Sequence, residues 1–357
     1  MQSFSIGVIP GDGIGGEVTQ PAFDIAWEIA SQSGASLDAV FYDWGSEYFF
    51  RNGRMMPEDA LQTLRGHDAI LLGAVGHPAI PDNVTLNGLL LPIRRGFDQF
   101  ANVRPAVLYR GIESPLKAVA PGGIDMVVVR ENTEGEYAQA GGFVHERHDS
   151  EVAIQTSVFT RHGVERIIRY AFELARRRNK QRRLASITKS NAQGFSMVLW
   201  DRVFGEVAGN YPDIETESLL VDAAAMNFVR RPQTFDVVVA SNLFGDILSD
   251  LSAILTGSIG LAASANIDPS KRFPSMFEPV HGSAPDIAGR GIANPLAAIF
   301  SAAMMLDHLG LSDAAARIDR AVQSVLAEGL VRTPDLGGSN STAEMVSAVN
   351  AALENRG

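Results

Sequence analysis

Two aspartates one helical turn apart carry the sharpest chemical signal in the sequence. Asp246 and Asp250 lie in the segment NLFGDILSD, and on a helix residues four apart share one face. Adjacent carboxylates repel each other unless a cation lies between them or water surrounds both. Oxygen ligands suit Mg²⁺ or Mn²⁺, so the pair predicts a divalent-metal site, with a solvated helix face as the alternative. Asp222, in LLVDAAAMNF, is a candidate third ligand.

Several arginines could bind the carboxylate groups of a ligand. A guanidinium group holds a carboxylate through two parallel hydrogen bonds. The candidates are Arg94, Arg104 and Arg130, whereas Arg95 is interpreted as a surface residue in an ion pair. Because the chain as a whole is acidic, arginines near strand ends predict a local site for a polycarboxylate. Scattered surface ion pairs are the alternative.

A tyrosine and a lysine could move protons. Tyr137 ends the segment RENTEGEY, and Lys189 lies in TKSN. A lysine desolvated beside a metal or an arginine can accept a proton near neutral pH. Tyr137 is therefore a candidate acid and Lys189 a candidate base, although either residue taken alone is also compatible with a structural role.

Two further motifs have a functional and a structural interpretation. Residues 11–16 fit the G-x-G-x-x-G pattern, but no acidic residue follows at the distance of about 20 positions that a Rossmann fold requires. A tight turn between a strand and a helix is the preferred interpretation. The run RRRNKQRR at 176–183 could contact nucleic acid, but a solvated helix end is favoured because cations suit the helix dipole there.

Length and composition limit the classes of function. The 357 residues predict about two domains, and roughly 75% of the surface of a chain this long is buried on folding. With 30 basic and 41 acidic residues, the net charge of −11 should repel nucleic acid and anionic membranes. The absence of cysteine excludes disulfides, thiolate nucleophiles and cysteine-ligated metals.

Strand and helix signals alternate along the chain, which predicts an α/β architecture. The expected strands are 4–10, 69–75, 125–130, 183–188 and 235–241, and the expected helices are 17–31, 164–178, 197–210, 245–255, 296–309 and 313–328. Residues 138–159 alternate in polarity and predict a projecting β-arm, in which His145 and His148 are expected to be solvated. No export signal or membrane-length apolar segment is found, so a cytoplasmic protein is expected.

Taken together, six motifs resemble the β-decarboxylating dehydrogenases, the family of isopropylmalate, isocitrate, tartrate and D-malate dehydrogenases. The motifs are IPGDGIG, FANVRP, VVVRENTEGEY, TKSN, NLFGDILSDL and FEPVHGSAPDIAGRGIANP. The resemblance extends from residue 6 to about residue 306. The sequence around YAFELA, VVVASNLFGDILSDL and FPSMFEPVHGSAPDI is most similar to the tartrate/D-malate branch.

The resemblance implies an isopropylmalate-dehydrogenase-like α/β fold, with two α/β domains that share a twisted central sheet, and not a Rossmann fold. The cofactor domain would comprise residues 1–102 and 257–357, and the substrate, metal and dimerisation domain residues 103–256. A homodimer with shared active sites and a small dicarboxylate hydroxy-acid substrate are also implied, with no nucleic-acid or membrane partner.

The family's site residues transfer to matching positions in this sequence. Arg94, Arg104 and Arg130 would bind the substrate carboxylates. Asp246 and Asp250, with Asp222 of the partner subunit, would hold Mg²⁺ or Mn²⁺. Tyr137 would be the general acid, and Lys189 of the partner subunit would be the base.

The cofactor implied by the resemblance is NAD. Its adenine end would lie along His281, Gly282, Ser283, Ala284, Asp286 and Ile287, with Asn294 nearby. The Asp286 carboxylate would accept hydrogen bonds from the ribose hydroxyls and would repel the 2′-phosphate of NADP.

The substrate is expected to be a (2R)-malate-type hydroxy acid that is oxidised and β-decarboxylated, with D-malate or tartrate favoured. In the family that this chain resembles, the helix before Arg94 determines substrate specificity, and this chain has Asn87, Leu90 and Leu91 there. Isopropylmalate enzymes carry Glu in place of Asn87, but the two leucines would tolerate an alkyl group. The alternatives are therefore 3-isopropylmalate or another 3-substituted malate, and a non-catalytic metabolite-binding homologue.

Overall fold

A computed structural model describes residues 2–117, 119 and 122–354 of the chain. Its strands are β1 (Gln2–Gly11), β2 (Ala35–Phe41), β3 (Ala69–Ala74), β4 (Ala101–Val107), β5 (Asp125–Glu131), β6 (Gly135–Val144), β7 (Val152–Val158), β8 (Arg183–Thr188), β9 (Glu215–Leu220), β10 (Val237–Ala240), β11 (Ala263–Ile267) and β12 (Ser275–Pro279). Its helices are α1 (Gly15–Gln32), α2 (Ser46–Asn52), α3 (Ala60–Leu64), α4 (Asp82–Thr85), α5 (Leu91–Gly96), α6 (Arg161–Arg178), α7 (Ser196–Ala208), α8 (Val221–Arg230), α9 (Asn242–Leu255), α10 (Leu296–His308), α11 (Ser312–Glu328) and α12 (Thr342–Glu354).

The chain divides into two compact units, each formed by separated segments. The first unit comprises Met1–Gln99, Val107–Gly123 and Ala253–Gly357, and the second comprises Phe100–Ala106 and Ile124–Ser252. The boundaries expected from the sequence were 102/103 and 257. The difference lies mainly in the segment 107–123, which joins the first unit.

In the first unit the strand order is β2-β1-β3-β12-β11, with parallel pairing except between β11 and β12. All side chains of β3 are buried, because α1 and α10 pack against the strands. Helix α10 is buried along nearly its whole length, which explains its continuous apolar sequence. No helix among the described residues is both long and apolar enough to cross a membrane.

In the second unit the strand order is β4-β5-β10-β8-β9, and β5, β10, β8 and β9 pair in parallel. Helices α6 and α7 pack against each other beside these strands. The carboxyl ends of parallel strands meet at one edge of a sheet, which is where α/β proteins place their ligand sites. Four adjacent strands therefore deliver the residues that follow them to the same edge.

The expected β-arm is an antiparallel ribbon of β6 and β7 in the second unit. Every residue of β7 is exposed, and apolar side chains lie on the ribbon surface, with Phe143 63% and Ile154 53% exposed. An exposed apolar surface of this kind commonly marks a contact with another chain.

The basic run at 176–183 lies at the carboxyl end of α6, as predicted. Its guanidinium groups face carboxylates: Arg176 binds Asp213, Arg178 binds Asp236, and Arg183 binds Glu215. These ion pairs join the helix end to neighbouring elements of the same unit.

Candidate active site

The candidate site of the second unit is built around Asp246 on α9. The Oδ1 atom of Asp246 forms an ion pair with Arg130 and lies 3.3 Å from Nη1 of Arg104. Its Oδ2 atom accepts a hydrogen bond of 2.9 Å from the hydroxyl of Tyr137. One carboxylate thus joins three of the residues that the sequence predicted to act together.

Arg130 is almost completely buried, with 2% of its surface exposed, and it is held in one orientation. Its Nε and Nη2 atoms donate hydrogen bonds of 3.0 and 2.6 Å to Oδ1 of Asn242. A Cβ atom at Gly245 would lie 2.6 Å from Cβ of Arg130, so glycine is what allows α9 to approach β5 this closely. The ring of Tyr137 lies 5.4 Å from the guanidinium carbon of Arg130.

Arg104, from β4, contacts three residues of α9. Its Nη1 atom donates to Ser249 Oγ at 2.7 Å and lies 3.4 Å from Oδ1 of Asp250. The Nε atom of Arg104 is buried without a hydrogen-bond partner among the described residues. A buried guanidinium with an unused donor is suited to receive an anionic group of a ligand.

The environment of this cluster raises the pKa of two side chains. Burial, followed by the charge of Asp246, raises the pKa of Tyr137 to about 12, so the phenol keeps its proton at neutral pH. Burial also raises the pKa of Asp250, although the positive charge of Arg104 opposes this change. Tyr137 therefore has the protonation state of a general acid.

Lys189 and Asp222 form a second pair, at the ends of β8 and β9. The Nζ atom of Lys189 lies 2.7 Å from Oδ1 of Asp222, and this hydrogen bond lowers the pKa of the carboxyl group. The Asp222 side chain is 60% exposed. Within the described part of the chain, no three histidine or acidic side chains form a group that could hold a metal ion. The structure places Asp246 and Asp250 side by side, but it does not add Asp222 to them.

The third predicted arginine, Arg94, belongs to the first unit. It is buried at the end of α5 and forms an ion pair of 2.6 Å with Glu278 of β12, whose carboxylate also accepts from Asn266. The neighbouring Arg95 is exposed. The pairing of Arg94 with Glu278 had no signal in the sequence, since the two residues are far apart along the chain.

The predicted cofactor segment borders a cavity of about 720 Å³ in the first unit. Gly282, Ser283 and Ala284 form one wall of the cavity, and residues 75–82 form the other. The preceding His281 is buried, and its Nε2 atom has no partner among the described residues, so it can still form a hydrogen bond with a ligand. Asp286 is exposed.

Asn294 has a structural role in addition to its predicted one. Its Nδ2 atom donates to Asp335 at 2.9 Å, and its Oδ1 atom accepts from the backbone N–H of Leu296 at 3.0 Å, at the start of α10. The amide oxygen therefore helps to position α10, and the amide nitrogen joins this segment to Asp335.

The glycine motif is a turn, as preferred from the sequence, and it supports the cofactor segment. A Cβ atom at Gly13 would lie 2.0 Å from the carbonyl oxygen of Ser283, so only glycine fits there. The buried Asp12 accepts hydrogen bonds from Ser46 and from the backbone N–H of Gly76. The turn thus joins the two walls of the cavity.

The helix before Arg94 contains a feature that the sequence did not reveal, a π-helical turn at Leu86–Leu90 between α4 and α5. The backbone N–H of Leu91 bonds to the carbonyl of Leu86, five residues back, and Nδ2 of Asn87 bonds to the carbonyl of Asn83 at 2.6 Å. Leu90 and Leu91 are half-buried. Such turns occur frequently at functional sites.

The sequence profile described as "Isocitrate/isopropylmalate dehydrogenase" matches residues 5–349. The chain belongs to this family. The resemblance stated from the motifs is thereby confirmed, as is the expected α/β fold class with a large central sheet.

Family members with different substrates are about equally similar to this chain. A probable tartrate dehydrogenase/decarboxylase of Agrobacterium vitis is 49% identical, with 99% of this chain and 98% of the relative covered. The decarboxylating D-malate dehydrogenase of Escherichia coli is also 49% identical, with 98% of each chain covered. The 3-isopropylmalate dehydrogenase of Thermobifida fusca is 49% identical, with 96% of each covered.

A solved structure of another family member has the same fold. The isocitrate dehydrogenase of Methylococcus capsulatus is 39% identical, covers 99% of each chain and has a TM-score of 0.87.

In this member of the dehydrogenase family, sequence reasoning missed two residues that orient the site arginines, Asn242 and Ser249. Both lie on the Asp246 face of α9, four residues before and three residues after Asp246. The same helical spacing that identified Asp250 could have identified them.

Proposed function

We propose that this chain is an NAD-dependent, divalent-metal-assisted dehydrogenase that oxidises and β-decarboxylates a (2R)-malate-type hydroxy acid. The single observation that carries the proposal is the cluster of Tyr137, Asp246, Arg130 and Arg104, which combines a protonated phenol with two buried guanidinium groups. A metabolite-binding protein would need the cations but not the acid.

Two positive side chains at the Asp246 face would bind and orient the substrate. Arg130 is held by Asn242 and Arg104 by Ser249, so each can present N–H donors to a carboxylate with little loss of side-chain entropy. Arg94 is the proposed third contact; its buried Nε atom has no hydrogen-bond partner among the residues described.

Two groups, one from each subunit, would move the protons. Lys189 of the partner subunit would accept the proton of the C2 hydroxyl as the C2 hydride leaves, which produces a 2-oxo acid. The β-carboxylate then departs as CO₂, and the electron pair of the broken bond forms an enolate. Tyr137 would donate its proton to C3 of the enolate, because its raised pKa keeps the phenol protonated until a strong base is present.

The carboxylates of Asp246 and Asp250 fit a hard divalent cation. They lie one turn apart on α9 and offer the oxygen ligands that such a cation prefers. In this chain both carboxylates also form ion pairs with the guanidinium groups of Arg104 and Arg130. Asp222 of the partner subunit is the proposed third ligand. When bound, Mg²⁺ or Mn²⁺ supplies positive charge that stabilises the developing oxyanion.

The cavity beside Gly282–Ala284 fits a dinucleotide, and NAD is the proposed cofactor. Support comes from its volume and from the buried, unpartnered Nε2 atom of His281. Asp286 is exposed and carries the negative charge that would discriminate against a 2′-phosphate. When bound, the nicotinamide accepts the hydride from C2.

A shared site in a homodimer is proposed because the chain carries exposed apolar side chains next to its functional helices. Met226 on α8 and Ile247 on α9 are each 57% exposed, and Phe195 before α7 is 94% exposed. Burial of such side chains would favour association. A partner would also supply the Lys189 and Asp222 pair that one chain does not join to the Asp246 cluster.

D-malate or tartrate is the proposed substrate, and 3-isopropylmalate is the alternative. The half-buried Leu90 and Leu91 favour the alternative, because they could contact an alkyl group. Asn87 opposes it, because its amide already donates to the backbone carbonyl of Asn83 in α4. The relatives named for these substrates have the same sequence identity to the chain, 49%, so only an assay distinguishes the candidate substrates.

The test is NADH formation with Mn²⁺ across D-malate, L- and meso-tartrate, 3-isopropylmalate and isocitrate, with CO₂ release measured in parallel. We expect turnover of D-malate or a tartrate, loss of activity after chelation of the metal, and recovery on adding Mn²⁺ or Mg²⁺. A preference for 3-isopropylmalate would establish the alternative. No turnover with any compound, together with intact dicarboxylate binding, would contradict the enzymatic proposal and support a binding protein.

A further inference from the structure

The first unit contains a second concave surface, of about 340 Å³, which we call the Phe273 cavity. Its walls include Phe4 near the start of β1, Asp68 just before β3, and Phe273 just before β12. These strands are parallel, so the cavity lies at their amino ends, opposite to the edge where α/β proteins usually bind their ligands. It shares no lining residue with the 720 Å³ cavity.

The side chains that line the Phe273 cavity carry more positive than negative charge, although the protein carries a net charge of −11. Arg65, Lys271 and Arg272 line it, against the single lining carboxylate of Asp68. Two histidines, His67 and His308, also line the cavity. Burial lowers the pKa of both, to about 4 for His308, so they are neutral at physiological pH. A local excess of positive charge in an acidic protein attracts anions to one place.

The loop that carries two of these cations is rigidly held. The buried carboxylate of Asp268 accepts hydrogen bonds from the backbone N–H groups of Ser270, Arg272 and Phe273. Lys271 occupies the left-handed backbone region, with φ of 53°, at the tip of this loop. A loop fixed in this way loses little entropy when a ligand binds.

Two of the three cations keep donors free for a ligand. The guanidinium of Arg65 lies 4.8 Å from the centre of the Phe273 ring and forms no ion pair with any residue in the described ranges. Lys271 donates one hydrogen bond, of 2.7 Å, to the carbonyl of His308, which leaves two N–H donors. Arg272 is paired with Asp98 at 2.8 Å and lies 3.8 Å from the carboxylate of Asp268, so it contributes less.

We propose that the Phe273 cavity binds a small polyanion that carries at least two phosphate or carboxylate groups and bridges Arg65 and Lys271. Two cations on separate segments match two anionic groups better than one, and the volume exceeds that of a single phosphate. Such a ligand would tie the segment before β3 to the loop before β12 and would stabilise the first unit against unfolding. The inference is independent of the proposed function.

The test is isothermal titration calorimetry of the metal-free full chain with inorganic pyrophosphate and, separately, with citrate. We expect saturable binding of one anion per chain, weakened about tenfold by Arg65→Gln and by Lys271→Gln. Arg54→Gln is the matched control and should leave the affinity unchanged. Arg54 is an exposed arginine of the same unit, and its ion pair among the described residues is with Glu58 on the surface.

The outcomes distinguish a phosphorylated ligand from a polycarboxylate, and binding in the Phe273 cavity from binding at the candidate active site. Tighter binding of pyrophosphate points to a phosphorylated ligand, and tighter binding of citrate to a polycarboxylate. Binding that survives both cavity substitutions but is lost in Arg130→Gln would place the anion at the candidate active site and overturn the proposal. Absence of binding heat with either anion at millimolar concentration would overturn it as well.

Discussion

The hydroxyl of Tyr137 is the atom on which the proposed chemistry depends most directly. It donates to Asp246 at 2.9 Å, while the ring lies against Arg130. Tyr137→Phe keeps the ring and removes only the proton donor. We expect kcat for decarboxylation to fall by about 10²- to 10⁴-fold, with a much smaller change in KM, because protonation of the enolate loses its acid.

Steady-state kinetics on the preferred substrate checks this expectation. Tyr48→Phe is the control, since Tyr48 lies near the exposed Arg51 in the first unit and should leave kcat unchanged. An unaltered kcat in Tyr137→Phe would show that another group protonates the product.

Glu131, next to Arg130 in β5, should make stability depend on pH. It is 2% exposed, and burial raises its pKa to about 7, despite hydrogen bonds from Thr133 and Glu134. Between about pH 4.5 and pH 7 the folded chain holds this proton while the unfolded chain releases it. The free energy of unfolding should therefore fall as pH rises through this window, by about 3 kcal/mol in total.

Chemical denaturation at several pH values measures this effect. Glu131→Gln removes the titrating group, so the difference in unfolding free energy between the natural chain and the variant should change by that amount across the window. A difference that stays constant with pH would mean that Glu131 is ionised in the folded chain.

At the scale of elements, the π-helical turn replaces an ordinary helical turn and requires particular side chains. The side-chain amide of Asn87 donates to the carbonyl of Asn83, which also accepts from the backbone N–H of Leu86. Gly88 makes room for Met55, whose Cγ would lie 2.5 Å from an added Cβ. Asn87→Ala should lower the free energy of unfolding by about 1 kcal/mol through loss of this hydrogen bond.

Urea denaturation checks the role of Asn87. The matched control is Asn83→Ala, which keeps the accepting backbone carbonyl and removes an exposed side chain, and it should change stability by less than about 0.5 kcal/mol. Equal effects of the two substitutions would indicate that the Asn87 amide does not stabilise the turn.

At the scale of the whole molecule, a shared site predicts complementation between two inactive chains. A heterodimer of Tyr137→Phe and Lys189→Met would contain one site with both substitutions and one site with neither. Random mixing of subunits should then restore about a quarter of the natural activity. The measurement is the activity of the two variants after joint unfolding and refolding.

The control combines two substitutions at residues that the same chain contributes to one site. Tyr137→Phe mixed with Asp246→Asn should remain inactive, because Tyr137 and Asp246 contact each other within one chain. No complementation by the first pair would show that each site belongs to one chain. Complementation by this second pair would show that Tyr137 and Asp246 of one site come from different chains, contrary to their contact.

The sequence by itself determined the family, the α/β class and the central residues, because these depend on local patterns. The i, i+4 spacing on α9 identifies Asp246 and Asp250, and continuous apolar runs identify the buried strands β3, β5 and β8. Short strands of mixed polarity, such as β9 and β11, carry no such pattern and were not predicted.

Only the tertiary structure determined which side chains pair with the site arginines. Arg130 is fixed by Asn242, 112 residues away, because β5 and β10 pair in parallel. Arg94 on α5 is fixed by Glu278 of β12, 184 residues away. The π-helical turn was likewise not predicted, since the local sequence pattern does not distinguish i−5 from i−4 bonding, and the close approach of Met55 to Gly88 in this turn is a tertiary contact. Local spacing thus determined which residues could act, and non-local pairing determined how each one is oriented and charged.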